Sequence, residues 1–153
     1  MEHVSITWLT RPLTDLTKQQ WEQLCDRCGL CCIHKIENQD GDIFLTDVAC
    51  KYLDIQSVRC QCYHKRAHKQ RLCRSLTPEN IEENLNWLPD TCAYRRRFEN
   101  RPLPSWHPLL SKKLNRVAQT GINIRDKVVS EKFVPETDWE MHIVDDDYFF
   151  RAY

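Results

Sequence analysis

Four cysteines lie within eight residues of this chain, at Cys25, Cys28, Cys31 and Cys32. Five more bring the total to nine: Cys50, Cys60, Cys62, Cys73 and Cys92. Cysteine thiolates are soft ligands that bind zinc, iron and iron–sulfur clusters. Because so many soft donors occur in one chain of 153 residues, the sequence predicts that all nine cysteines belong to a metal-binding framework.

The spacing inside the first group indicates which kinds of centre it suits. Cys25, Cys28 and Cys31 are three residues apart. The first three ligands of a bacterial-ferredoxin iron–sulfur site have the same spacing, and their fourth cysteine comes from elsewhere in the chain. The spacing also suits zinc, with a distant cysteine or His34 completing the site. Zinc and iron therefore both stay open.

The spacing within two pairs of cysteines, Cys31 with Cys32 and Cys60 with Cys62, predicts whether each pair can bind one ion. Neighbouring side chains point in different directions on a strand or a helix. We therefore expect Cys31 and Cys32 to serve two centres, or one of them to pack without binding. Cys60 and Cys62 can hold one ion together, because residues i and i+2 share a face of an extended chain. Nine sulfurs can fill two four-cysteine zinc sites with one left over, or one cluster and one zinc site.

Basic side chains surround the later cysteines: Lys65, Arg66, Lys69, Arg71 and Arg74. Cations beside a thiolate offset its charge and lower the pKa of the thiol. The alternative is that these residues form a solvated basic face. The sequence supports both interpretations equally.

The composition limits the classes of partner and compartment. Twenty-two basic side chains balance 22 acidic ones, which gives no support to a nucleic-acid or membrane partner and leaves a protein partner open. The chain has no basic and apolar leader and no run of about 20 apolar residues. We therefore expect a cytoplasmic protein. In a reducing cytosol, an odd number of cysteines favours metal binding over disulfides.

A chain of this length predicts one domain, residues 1–153, with a short N-terminal lead-in and a C-terminal tail that docks or frays. The expected fold class is α+β and mostly helical, a small domain organised around the cysteine site. A helix capped by Thr14 or Asp15 and ending near Cys25 would lead the chain into the first group of cysteines.

Turn and capping signals predict six further elements. Pro78 in the first turn favours a helix starting at Thr77. The expected elements are a strand at 43–45, a short helix capped by Thr46, a helix from Thr77 to Pro89, a short helix at 91–99 with Cys92 in its first turn, a strand at 122–124, and a helix from Thr137 to Val144.

The stretch from Cys25 to Cys32, with the order Cys-x-x-Cys-x-x-Cys-Cys, resembles the signature of the CxxCxxCC proteins, also called YkgJ-type and described as a zinc- or iron-chelating domain. The similarity is greatest to the YcgN-like family of uncharacterised bacterial proteins. It extends through His34-Lys35, Val48-Ala49-Cys50, Cys60-Gln61-Cys62, Trp87-Leu88-Pro89, Thr91 to Arg95 and Leu103 to Leu110. The resemblance implies a metal-chelating cysteine framework and does not imply a reaction.

The function expected from the sequence is therefore a cytoplasmic metal-binding protein, whose cysteines chelate zinc, iron or an iron–sulfur cluster in one or two centres. Two alternatives belong to other classes: an iron-dependent redox or group-transfer enzyme with an open coordination position, and a zinc-stabilised adaptor for another protein. The sequence carries no nucleophile, P-loop or dinucleotide motif. It predicts no catalytic or organic-cofactor residue, so whether the protein is an enzyme is undecided.

Overall fold

In the computed structural model, which describes residues 6–113, 122 and 124–150, an antiparallel hairpin follows directly after the first group of cysteines. The strands are β1 (Ile33–Glu37), β2 (Ile43–Ala49), β3 (Leu53–Asp54), β4 (Arg59–Cys60) and β5 (Val129–Ser130). Strands β1, β2 and β5 form one sheet, in which β1 and β2 are antiparallel and β5 runs parallel to β2. Strands β3 and β4 form a separate antiparallel pair.

The hairpin turn follows from its residues. Gly41 has φ +85°, a left-handed conformation that glycine adopts at little cost. The side-chain oxygen of Asn38 accepts hydrogen bonds from the backbone amides of Asp40 and Asp42, at 2.9 and 2.8 Å. These bonds close the turn and fix the register of the two strands.

The strand predicted at 43–45 is confirmed, and it continues to Ala49. The helix predicted at Thr46 is wrong. Thr46 lies inside β2, is fully buried, and donates its hydroxyl to the backbone oxygen of His34 at 2.6 Å. A β-branched residue whose hydroxyl is satisfied by the neighbouring strand favours the sheet over a helix cap.

Four short α-helices occur in the described residues: α1 (Lys18–Gln23), α2 (Arg66–Lys69), α3 (Ala93–Phe98) and α4 (Pro108–Ser111). Helix α1 starts later than predicted, because Thr17 and Gln20 form a reciprocal capping box. The helix predicted at 91–99 is confirmed as α3, with Cys92 at its N-cap.

Much of the remaining helix is of the 3₁₀ type. These segments are Thr7–Thr10, Leu13–Asp15, Leu30–Cys32, Tyr63–Lys65, Glu82–Trp87, Glu131–Phe133, Glu136–His142 and Tyr148–Phe150. The helix expected from Thr77 forms only as the 3₁₀ segment Glu82–Trp87, although Thr77 and Asn80 bond each other's backbone amides through their side chains, as at a helix start.

The other two predicted elements also change. The final helix, expected from Thr137, is the 3₁₀ segment Glu136–His142. Ile122 and Ile124 are buried and belong to no strand, while position 123 lies outside the described residues. None of the helices among the described residues is long and apolar enough to cross a bilayer.

Two main hydrophobic clusters form the core. The first contains Trp8, Trp21, Leu24, Ile81, Leu88, Ala93 and Tyr94. The second contains Leu30, Ile33, Ala49, Leu53, Ile122, Ile124 and Phe149. Phe149 is fully buried, so residues 145–150 of the tail dock on the body and do not fray. The first group of cysteines lies between Leu24 of one cluster and Ile33 of the other.

Candidate metal centre

Seven of the nine cysteines line a single cavity of about 300 Å³. They are Cys25, Cys31, Cys32, Cys50, Cys60, Cys62 and Cys73. Cys28 and Cys92 are not on the lining, but they lie close to it. The charge of Cys92 raises the pKa of Cys25, and the charge of Cys31 raises the pKa of both Cys28 and Cys92. The fold thus brings together sulfurs that are up to 48 positions apart in the chain (from Cys25 to Cys73).

The first cysteine loop, residues 24–33, turns at Gly29. This glycine has φ +82°, and a Cβ placed on it would overlap Ile124 and lie 2.7 Å from Cγ1 of Val58. No other residue type fits this position without strain. The amide of Cys28 donates to the carboxylate of Asp26 at 3.1 Å, which further fixes the loop.

Cys31 and Cys32 both line the cavity, and the expectation that they serve two centres, or that one of them packs without binding, stays a prediction. They lie in the 3₁₀ turn Leu30–Cys32, in which neighbouring side chains still point in different directions. The side-chain hydrogen bond with Cys32 lowers the pKa of Cys31, because it favours the Cys31 thiolate. Nearby Lys35 lowers it further, while burial opposes the shift. The pKa of Cys32 is raised, because it keeps the shared proton.

Cys60 and Cys62 approach each other as their spacing predicts. Cys60 ends β4, and its sulfur lies 3.8 Å from the sulfur of Cys62. Two sulfurs bound 2.3 Å from one tetrahedral zinc ion are about 3.8 Å apart. The pair therefore has the separation of two ligands of one ion.

Burial keeps the thiols of Cys25, Cys28 and Cys92 protonated. Burial raises the pKa of both Cys25 and Cys92 to about 12 and raises that of Cys28. All nine cysteines are free, and none is at disulfide distance from another. Within residues 6–113, 122 and 124–150, no group of three or more His, Cys, Asp or Glu side chains has the arrangement of a complete metal site.

His34 lies on the cavity wall, together with the seven lining cysteines. Its ring stacks on Trp139 at 4.1 Å, and its Nε2 is 3.3 Å from Glu131, outside hydrogen-bond geometry. Burial lowers the pKa of His34, and the carboxylate of Glu131 partly opposes the shift. The other oxygen of Glu131 accepts from the amide nitrogen of Gln70 at 2.8 Å, and this nitrogen lies 3.5 Å from the sulfur of Cys50. Glu131 thus links His34 to the cysteine set through Gln70.

The basic residues divide into two groups. Arg66, Arg71 and Arg74 line the cavity, whereas Lys65 and Lys69 are exposed and do not. Lys35 also lines the cavity, although it lies outside the predicted basic set. Its ammonium group donates to the carbonyls of Leu30 and Ile33 at 2.8 and 3.1 Å, which holds its positive charge beside the first cysteine loop.

Similar proteins are found in other bacteria. The chain is 45% identical over 138 residues to a UPF0260 protein of Marinobacter nauticus, covering 90% of this chain and 93% of the relative. It is 46% identical over 138 residues to one of Rhodobacter capsulatus, with the same coverage, and 42% identical over 139 residues to one of Vibrio vulnificus, covering 90% and 94%. The chain belongs to the UPF0260 family.

The UPF0260 label corrects the family expected from the CxxCxxCC signature. The relatives match over most of the chain and carry a different label from YcgN or YkgJ, so that assignment was wrong. No family model and no solved structure matches the chain.

In this UPF0260 chain, the sequence identified the cysteines that meet at the cavity and missed much of what surrounds them. Glu131, Gln70 and Trp139 contact His34 or one another and come from distant parts of the chain. No motif marks them, because their roles depend on tertiary contacts. The sequence also does not mark the aromatic residues of the lining, such as Trp87, as part of the site, although the predicted helix from Thr77 to Pro89 contains Trp87.

Proposed function

We propose that this UPF0260 protein binds a metal centre in its cysteine-lined cavity, with zinc, iron or an iron–sulfur cluster as the centre. The convergence of seven cysteine side chains on one cavity is the observation that supports the proposal most strongly. A lone cysteine packs like a small apolar residue, but seven free thiols around one space supply more than the four soft donors that a zinc or iron–sulfur centre needs.

The donor set fits such a centre chemically. Thiolates are the preferred ligands of zinc and iron–sulfur clusters. The 3.8 Å separation of the Cys60 and Cys62 sulfurs suits a shared ion. A bound cation would also reverse the effect of burial on the pKa of Cys25, because coordination deprotonates a thiol outright. Free thiols with no disulfide suit the reducing cytoplasm, where we place the protein.

The bound centre would stabilise the fold, since metal binding to a folded site adds its free energy to that of folding. The cavity-lining cysteines would hold one or two centres. Cys28 and Cys92 lie beside this set, and we assign them to its support.

The test is metal and sulfide analysis, with an absorption spectrum, of protein purified without oxygen. We expect stoichiometric metal in the wild type, and a loss of metal affinity of at least about tenfold in Cys62→Ser, since even partners outside the ligand shell are worth this much. Cys92→Ser is the matched control and keeps its metal, because a serine can cap α3 in the same place. Wild-type protein without metal, or full metal retention in Cys62→Ser, would contradict the proposal.

A further inference from the structure

The cavity contains more than cysteines. Its other lining residues include four cations, Lys35, Arg66, Arg71 and Arg74, and the carboxylate of Glu22. Arg71 is paired with Glu136 at 3.2 Å, and Glu22 accepts a hydrogen bond from the hydroxyl of Tyr63. Among the residues that the structure describes, no carboxylate lies within 4.0 Å of Lys35, Arg66 or Arg74. Three cations on the cavity lining therefore lack an acidic partner.

Arg74 is held in place from two sides. Its guanidinium carbon lies 3.9 Å from the ring centroid of Trp87, and its Nη1 donates to Asn84 at 3.0 Å. Asn84 is buried and is itself oriented by a bond from its amide nitrogen to the carbonyl of Asn80. Stacking and one hydrogen bond fix the plane of the guanidinium and leave Nε and Nη2 for another acceptor.

Arg66 repeats this arrangement on the same cavity. Its guanidinium carbon lies 4.0 Å from the ring centroid of Tyr63, and its Nη1 donates to the backbone oxygen of the same residue at 2.7 Å. Lys35 uses two of its three donors on backbone carbonyls. Each of the three cations therefore keeps free donors after its protein contacts are counted.

Much of the remaining lining is apolar or aromatic. It includes Trp21, Tyr52, Leu53, Trp87, Leu88 and Tyr94. A volume of about 300 Å³ is at the lower end for ligand pockets. Such a lining suits a small molecule with a planar or apolar body and an acidic end.

We infer that the cavity binds a small organic oxyanion, a carboxylate or a phosphate monoester on an apolar or aromatic body, beside the cysteine centre. Arg74, Arg66 and Lys35 would hold the oxyanion, since guanidinium groups bind both carboxylates and phosphates with paired hydrogen bonds. The inference deepens the proposed metal-binding function, because it names the ligand class of the same site. The competing explanation is that the three cations only offset thiolate charge.

The experiment is calorimetric titration of metal-replete protein with benzoate and with phenyl phosphate, which separates the two sources of oxyanion. Benzamide, which has the same shape as benzoate and no charge, is the matched ligand. We expect at least one oxyanion to bind about tenfold more tightly than benzamide, because each charge-assisted hydrogen bond contributes a factor of this size or more.

Two variants test the residues. Arg74→Gln should weaken oxyanion binding about tenfold or more, and Arg74→Lys should fall between it and the wild type, because lysine keeps the charge and loses the planar fork. Arg71→Gln is the control on the same lining and leaves binding unchanged, since Glu136 already pairs with Arg71. Circular dichroism and metal content are measured on every sample.

The outcomes separate the two proposals. Metal-replete wild type that binds neither oxyanion more tightly than benzamide would overturn the inference and leave the metal function standing. Arg74→Gln that keeps full affinity for the oxyanion would also overturn it, since the guanidinium would then hold no ligand. Arg74→Gln that loses metal together with oxyanion affinity would overturn it too, since the guanidinium would then act only on the thiolates. Oxyanion binding by wild type isolated without metal would support the inference and refute the metal function.

Discussion

The first cysteine loop (residues 24–33) and the later cysteine segment (residues 59–75) face the same cavity, but the fold holds them very differently. The first cysteine loop contains Leu24, Leu30 and Ile33, which are 0%, 1% and 3% exposed and belong to the two main clusters. Within the later cysteine segment, Gln70 is the one buried residue. One side of the cavity is thus part of the core, and the other rests on the surface.

This difference suggests how a site can form around a ligand. Sulfurs carried by core-packed backbone are preorganised, so binding costs them little ordering entropy. Sulfurs on a segment with few buried contacts can move, and they lose more freedom when they bind. We therefore expect the first cysteine loop to act as the fixed half of the site and the later cysteine segment as the adjustable half.

The largest difference between the two regions is expected in apolar packing. Leu30→Ala removes a side chain that is 1% exposed and should destabilise the domain by about 3–4 kcal/mol, from lost burial and the cavity left behind. Leu72→Ala, in the later cysteine segment, removes a side chain that is 42% exposed and should cost less than about 1 kcal/mol. Urea unfolding of both variants measures the difference. Equal losses would contradict the division into a fixed and an adjustable half.

A second prediction concerns the turn of the first cysteine loop. Gly29→Ala places a methyl group against Val58 and Ile124 at a left-handed φ and should cost about 2–4 kcal/mol, from backbone strain and overpacking together. Gly41→Ala is the matched control: its φ is +85°, but nothing lies within 4 Å of the added carbon. It should cost about 1 kcal/mol, for the backbone alone. Thermal and urea unfolding compare the two. A similar loss in both would show that the close packing at Gly29 contributes nothing.

The spacing of the cysteines along the chain predicted that they lie close together in the fold. Part of the local structure was also predicted from patterns between residues a few positions apart. The hairpin at Gly41, helix α3 and the pairing of Cys60 with Cys62 depend on residues a few positions apart. Patterns of this range are visible in a sequence.

What the sequence did not predict depends on distant contacts. Thr46 is a good helix cap by residue type, but it is buried in β2 because β1 offers the carbonyl of His34. Val58 has φ +55°, which is rare for a β-branched residue, and its Cγ1 lies beside Gly29. Tertiary packing overrides local preference at each of these positions.

The smallest effect is expected in the local opening of one region after the metal is removed. If the cavity holds a centre, chelation releases the sulfurs of the later cysteine segment, whose backbone has few buried contacts to keep it closed. Amide hydrogen exchange in residues 59–75 should then become about tenfold faster, while residues 24–33 change less, because the core still protects them. Mass spectrometry of peptides from both ranges, before and after chelation, measures this. Cys62→Ser should exchange at the fast rate with or without the chelator. Faster exchange in residues 24–33 than in residues 59–75 would reverse the assignment and make the first cysteine loop the half that depends on metal.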